Sequence, residues 1–186
     1  MRDVKILWLM ICLAALPFGA SAAGRFALTS GDFANHGTIP MAQVFNRDGC
    51  EGKNLSPALH WSDAPAGTKS FAITIYDPDA RGGWWHWLVF NIPANVGSLP
   101  AGAGSEHSTS LPRGAIQGRN DFGLGYYGGP CPPPGDAPHH YRITVYALRV
   151  SKLPLGANTS DAALAPYLRA DVLAKAELTG RYGRNK

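Results

Sequence analysis

Three clusters in this 186-residue chain combine residue types that could do chemistry. The first is Asp77-Pro78-Asp79. Two carboxylates on a stiff turn can build a polar site. They can equally form an Asx-type turn, in which they only accept backbone N–H bonds. The second is Gly83-Trp84-Trp85-His86-Trp87, three indoles around one imidazole. Buried indoles need an acceptor for their N–H, so this run reads either as part of a site or as an aromatic core with a satisfied histidine. The third is Gly128-Gly129-Pro130-Cys131-Pro132-Pro133-Pro134-Gly135, followed by His139-His140-Tyr141. The prolines stiffen the loop, and the glycines leave backbone N–H groups approachable, which suits an anion. The plain alternative is a rigid surface loop with solvated histidines.

Two aspartates and two histidines could hold a metal and activate water, which would make the chain a metal-assisted hydrolase. The sequence lacks an obvious nucleophile–base pair, a G-x-S-x-G elbow and an H-E-x-x-H helix. It also lacks a C-x-x-C pair and finger-type histidine spacing. Binding without catalysis, and without a resident metal or cofactor, is therefore the expectation. The run Gly123-Leu124-Gly125-Tyr126-Tyr127-Gly128 matches G-x-G-x-x-G. A dinucleotide site needs a helix to follow, and the glycine and proline run that comes next allows none.

Strands must position these clusters. Residues 71–77 alternate, with Phe71, Ile73, Ile75 and Asp77 on one face. Residues 86–92 are apolar on both faces and predict a central strand, and residues 141–147 alternate again. Asp77 ends one strand and His86 begins the next, so antiparallel neighbours would bring them to one sheet edge. His139 also lies at a strand start. Ser160 or Asp161 caps a short helix running to about Arg169, despite Pro166. After it, Val172, Ala174, Ala176 and Leu178 alternate with polar residues. Propensity there favours helix, whereas the period of two predicts a strand, which we adopt. The long segment 93–138 is expected to carry an unseen strand near residues 111–117.

Gly (22) and Pro (15) are abundant and the net charge is +4, with the basic residues scattered singly. That suits a β-rich domain with ordered loops and argues against nucleic-acid binding. Arg2 and Lys5, the apolar run 6–18 and Ala20-Ser21-Ala22 form a secretory signal peptide over residues 1–22. Residues 23–186 are then one exported domain, periplasmic or secreted, with no apolar stretch for stable membrane insertion. Cys12 falls in the signal. For Cys50 and Cys131 an oxidising compartment favours a disulfide over two buried thiols or half a metal site.

The three clusters, together with Asn54-Leu55-Ser56-Pro57, Thr68-Lys69-Ser70-Phe71-Ala72, Asn120-Asp121-Phe122-Gly123 and Leu178-Thr179-Gly180-Arg181-Tyr182, resemble the phosphatidylethanolamine-binding protein family, in its bacterial Raf kinase inhibitor-like branch. The resemblance spans nearly all of residues 23–186. It implies a mainly β fold, an antiparallel β-sandwich with one or two short peripheral helices. It also implies a pocket at a sheet end for phosphate, acetate or a phosphoethanolamine head group. Carried over motif by motif, that pocket contains Asp77, Asp79, His86, Gly129, Pro130, His139 and Tyr141. An anion beside Asp77 and Asp79 needs compensation, and nearby carboxylates favour protonated imidazole; within the pocket the resemblance implies, His86 and His139 are therefore the expected cations, with the Gly129 N–H and the Tyr141 hydroxyl as neutral donors. The implied function is binding of a small phosphorylated or anionic ligand, with modulation or inhibition of a partner enzyme. Two positions depart from the family pattern. Arg81 stands where a proline is usual, which bears on the loop's conformation, and His140 stands where an arginine is usual.

Overall fold

The structure, a computed structural model, describes residues 24–185; the expected signal segment 1–22 lies outside them. The described residues are mainly β, with two antiparallel sheets and one helix. The larger sheet has five strands in the order β6-β4-β3-β7-β8, where β3 is Ser70–Asp77, β4 Trp84–Pro93, β6 Ile116–Gln117, β7 His139–Leu148 and β8 Val172–Tyr182. The smaller sheet, in the order β1-β2-β5, comprises Ala27–Ser30, Leu59–Ser62 and Ser98–Leu99.

The three strands expected from periodicity are present, each slightly longer than predicted. They form the centre of the large sheet because both of their faces are buried. Phe71, Ile73, Ile75, Trp87, Val89, Ile143 and Val145 pack against Phe26, Leu28, Leu59 and Trp61 of the small sheet, filling the space between the layers. Ala72, Leu88, Phe90 and Leu148 point the other way and meet Leu164 and Leu168 of the helix α1, Asp161–Asp171. Alternation on both faces of a half-polar strand would have left one face wet.

The C-terminal stretch is a strand, as its period of two predicted. The ladder of β8 with β7 runs from His139↔Tyr182 to Leu148↔Val172. It places Ala176 and Leu178 in the central core. Long-range pairing overrides the helical propensity of its alanines. The preceding helix starts where expected: Ser160 is the N-cap and its hydroxyl accepts from the Ala163 N–H at 3.4 Å. Pro166 is tolerated inside it because Leu164 and Leu168 anchor the helix to the sheet.

The strands of the small sheet have only two to four residues each, too few to show a period. Segment 93–138 does hold a strand near residues 111–117, the two-residue β6. Its loops are tied by buried asparagines. The Asn120 amide donates to the His86 and Tyr126 carbonyls at 2.9 Å each, and its oxygen accepts from the Leu124 N–H. No helix follows residues 123–128. Cys50 and Cys131 are joined in a disulfide, with Cα atoms 5.9 Å apart.

Candidate functional site

Three strand ends of the large sheet converge on one cleft. Asp77 closes β3, Trp84 and His86 open β4, and His139 and Tyr141 open β7. The register pairs Asp77 with Trp84, and Tyr76 with Arg142. Antiparallel pairing alone therefore puts these side chains at one edge. The cleft measures about 400 Å³ and is lined by Asp77, Asp79, His86, His139 and Tyr141. Trp84, Phe122 and the Cys131–Pro133 run form its walls, and the exposed Arg81 and Asp136 also face it.

Asp77 fulfils both readings of its cluster at once. It is buried. Oδ1 accepts the backbone N–H groups of Asp79 (2.9 Å) and Ala80 (3.1 Å), the Asx-type turn. Oδ2 accepts from His139 Nδ1 at 2.8 Å, inside the cleft. His139 Nε2 lies 3.7 Å from the Asp136 carboxylate. Asp79 is turned toward the unexpected member of the group: its Oδ2 accepts both the backbone N–H (2.7 Å) and Nδ1 (2.8 Å) of His140. The His140 backbone bond, more than its ring, holds the Asp79 carboxyl below the usual aspartate range.

Two expectations need correction. His86 is not a cation. Its ring is fully buried, and that burial pushes the imidazole down to about 4. The nearby Asp77 charge opposes the shift but is outweighed. Nδ1 donates to the Gly128 carbonyl at 2.7 Å, so Nε2 is a lone pair, and it has no partner. Nor is the Gly129 N–H available to a ligand, because it donates to Asn54 Oδ1 at 2.7 Å. Gly129 is needed for close approach instead, since a Cβ there would collide with the Gln43 carbonyl. Pro130 lines a small cavity behind His86 and Tyr141 rather than the cleft itself.

The cleft holds three buried polar atoms without a hydrogen-bond partner: His86 Nε2, the Tyr141 hydroxyl and Trp84 Nε1. Burial, and secondarily Asp77, pushes the Tyr141 hydroxyl far above the usual phenol range, so it stays protonated. Among the described residues, no three His, Cys, Asp or Glu are grouped to hold a metal ion. Neither His86 nor His139 hydrogen-bonds to a serine, threonine or cysteine side chain.

Comparison with known proteins shows the family. The profile of the phosphatidylethanolamine-binding protein family matches residues 29–183. YbcL of Escherichia coli is 49% identical over 181 residues, covering 96% of this chain and 98% of YbcL. The crystal structure of YbcL, described as a new member of the mammalian PEBP family, superposes with a TM-score of 0.83 and covers 86% of this chain and 99% of that one. The chain belongs to the phosphatidylethanolamine-binding protein family. LppC of Mycobacterium tuberculosis, named as a lipoprotein, is 39% identical over 148 residues, 78% of this chain and 67% of LppC.

In this member of the family the 78–83 loop forms without a proline at position 81. Asp77 Oδ1 caps the turn, and Gly83, at φ 76°, donates to the Ala80 carbonyl at 2.7 Å. Sequence reasoning did not single out Phe122, Asp136 or Asn54. Phe122 stands 5.4 Å from both Trp84 and His86, ring to ring and edge-on. It was present in the Asn120–Gly123 motif, which was the available signal. Of the three clustered tryptophans only Trp84 faces the cleft; Trp87 is core, its Nε1 donating to Gln117 at 2.6 Å, and Trp85 packs against Tyr76 with the rings tilted by 40°.

Proposed function

We propose that this chain is an exported protein that binds a small phosphorylated or anionic ligand in the cleft, without catalysing a reaction there. One observation carries the reading: His86 Nε2, the Tyr141 hydroxyl and Trp84 Nε1 are buried, unpartnered and gathered on one cleft. A buried polar group left unpaired costs on the order of 1–3 kcal/mol. Three around a concave site mark where a polar ligand completes the bonding. Trp84 and Tyr141 supply donors for an oxyanion, and Arg81 supplies a cation among the cleft residues. Asp77 orients His139 through Nδ1, but among the described residues no serine, threonine or cysteine side chain hydrogen-bonds to His86 or His139, which favours binding over nucleophilic catalysis. Export is supported by the signal-like segment 1–22, by the Cys50–Cys131 disulfide, and by a relative named as a lipoprotein. Among the described residues no helix is long and apolar enough to cross a membrane. A partner enzyme whose activity the protein modulates completes the reading, on the family resemblance.

Calorimetric titration with inorganic phosphate and phosphoethanolamine tests the pocket, with Tyr141→Phe as control. Saturable heat that weakens in the variant supports the reading, and no heat from either ligand overturns it. A phosphatase and esterase panel, with and without divalent metal, tests the absence of catalysis. Turnover that vanishes in His139→Ala would establish the hydrolase instead.

A further inference from the structure

We infer that a second groove, on the outer face of the large sheet beside α1, binds a free medium-chain carboxylate, with its head between Arg169 and Lys175 and its alkyl chain along an apolar floor. This goes beyond the binding reading above and does not rest on it. The cleft lies at the strand ends, and the two share no lining residue.

The groove exists because α1 is too short to cover the sheet. Its 11 residues seal Ala72, Leu88, Phe90 and Leu148 with Leu164 and Leu168. Trp85, Tyr146 and Val172 pack against this second core but stay only partly buried. They flank an open space of about 320 Å³, within the range of small-molecule sites, roughly 300–1,000 Å³. Leu88, Leu164 and Leu168 line its floor. An alkyl chain laid there removes their edges and the two aromatic rings from water.

The charges around this trough are unevenly placed. Arg169, in the last turn of α1, and Lys175, on β8, both face it and are exposed. Among the described residues neither forms an ion pair. Lys175 is the cross-strand partner of Tyr146, and its Nζ lies 5.2 Å from the centre of that ring. The acid on the groove, Asp161, is in the first turn of α1. It stands about two helical turns from Arg169, roughly 12 Å along the axis, where the free N–H groups of the helix face it. The result is an apolar trough with two unpaired cations at one end. A carboxylate fits the planar fork of Arg169 and the point charge of Lys175, and an extended eight-carbon chain reaches from there toward Leu164 and Trp85. Inorganic phosphate would leave the floor uncovered. A cationic amphiphile would set its head against both bases or reach only Asp161.

Calorimetric titration with octanoate, below its micelle-forming concentration, tests this. One equivalent should bind saturably. Octylamine, with the same chain and the opposite head, should bind at least about ten-fold more weakly. Arg169→Gln together with Lys175→Gln should weaken octanoate about ten-fold, the combined effect of two exposed ion pairs. The urea midpoint should not move, since neither cation is paired in the structure. Ala165→Trp, which fills the groove from the half-buried side of α1, should abolish octanoate binding. Tyr141→Phe, in the cleft, should leave it unchanged, and saturating phosphate should not displace it. If the groove variants do not fold, the wild-type comparison of octanoate, octylamine and phosphate decides alone. No saturable octanoate heat, equal binding of octanoate and octylamine, or displacement by phosphate would overturn the inference, and only phosphate titrated by itself bears on the cleft. A dimer in sedimentation equilibrium that dissociates in Ala165→Trp would give the groove to a second copy of the chain. Co-sedimentation with phosphatidylglycerol vesicles, without octanoate heat, would give it to a membrane surface. Either result would overturn the inference as well.

Discussion

At the scale of single residues, two changes contrast core packing with site polarity. Trp87→Ala removes a fully buried side chain and should cost on the order of 3–5 kcal/mol. Asp77→Asn keeps an acceptor for the Asp79 and Ala80 N–H groups but sets an amide donor against His139 Nδ1–H. It should cost less, roughly 1–3 kcal/mol. Urea melts of both variants give the order, and the reverse order would make Asp77 chiefly a structural cap. His86 dictates a pH dependence. Its folded value is depressed to about 4 from 6.5, so the unfolded chain takes up the proton first. The stabilisation is fully present above about 6.5 and is lost as pH falls toward about 4, on the order of 3 kcal/mol in total. Melts from pH 7 to pH 4 should show this loss in wild type and not in His86→Asn.

At the scale of elements, the site depends on what holds the strand ends together. Asn120 bonds the start of β4, through the His86 carbonyl, to the loop carrying Phe122. Asn120→Ala leaves the half-buried Tyr126 carbonyl and Leu124 N–H unpaired, while the His86 carbonyl keeps the Gly128 N–H. We expect a loss on the order of 3 kcal/mol, together with weaker anion binding because the Phe122 wall is released. Calorimetry at a temperature where the variant remains folded separates the two effects. An Asn120→Ala protein with wild-type stability would show that these bonds are replaced by water.

At the scale of the whole molecule, the wall of the cleft is fastened to the rest of the chain covalently. The disulfide spans 81 positions and ties the proline-rich loop to the turn at Cys50, where Val44 and Phe45 form a separate small core with Phe122. Reduction should destabilise the protein by up to about 4–5 kcal/mol on the chain-entropy model, read as a lower denaturant midpoint in dithiothreitol. Thiol titration of denatured, unreduced protein gives a second check. Material processed after residue 22 should show no free thiol, and unprocessed chain should show Cys12 alone. Finding further thiols would contradict the bridge.

The central strands and the final strand were legible in the sequence because each runs for seven or more residues, continuously apolar in residues 86–92 and alternating in the others, long enough for the pattern to register. The ends of those strands, and hence the gathering of Asp77, His86, His139 and Tyr141, followed from antiparallel pairing. The small sheet was not legible, since two to four residues carry no period and its pairing is decided by packing against Phe71 and Ile73. The family's motifs pointed to candidate residues but not to their states. Whether His86 is charged depends on how completely Phe122 and Tyr141 exclude water from it, and whether the Gly129 N–H is free depends on Asn54, 75 positions away. Residue type sets what a group can donate or accept. Only the tertiary structure decides burial and partners, because both come from residues distant in the chain.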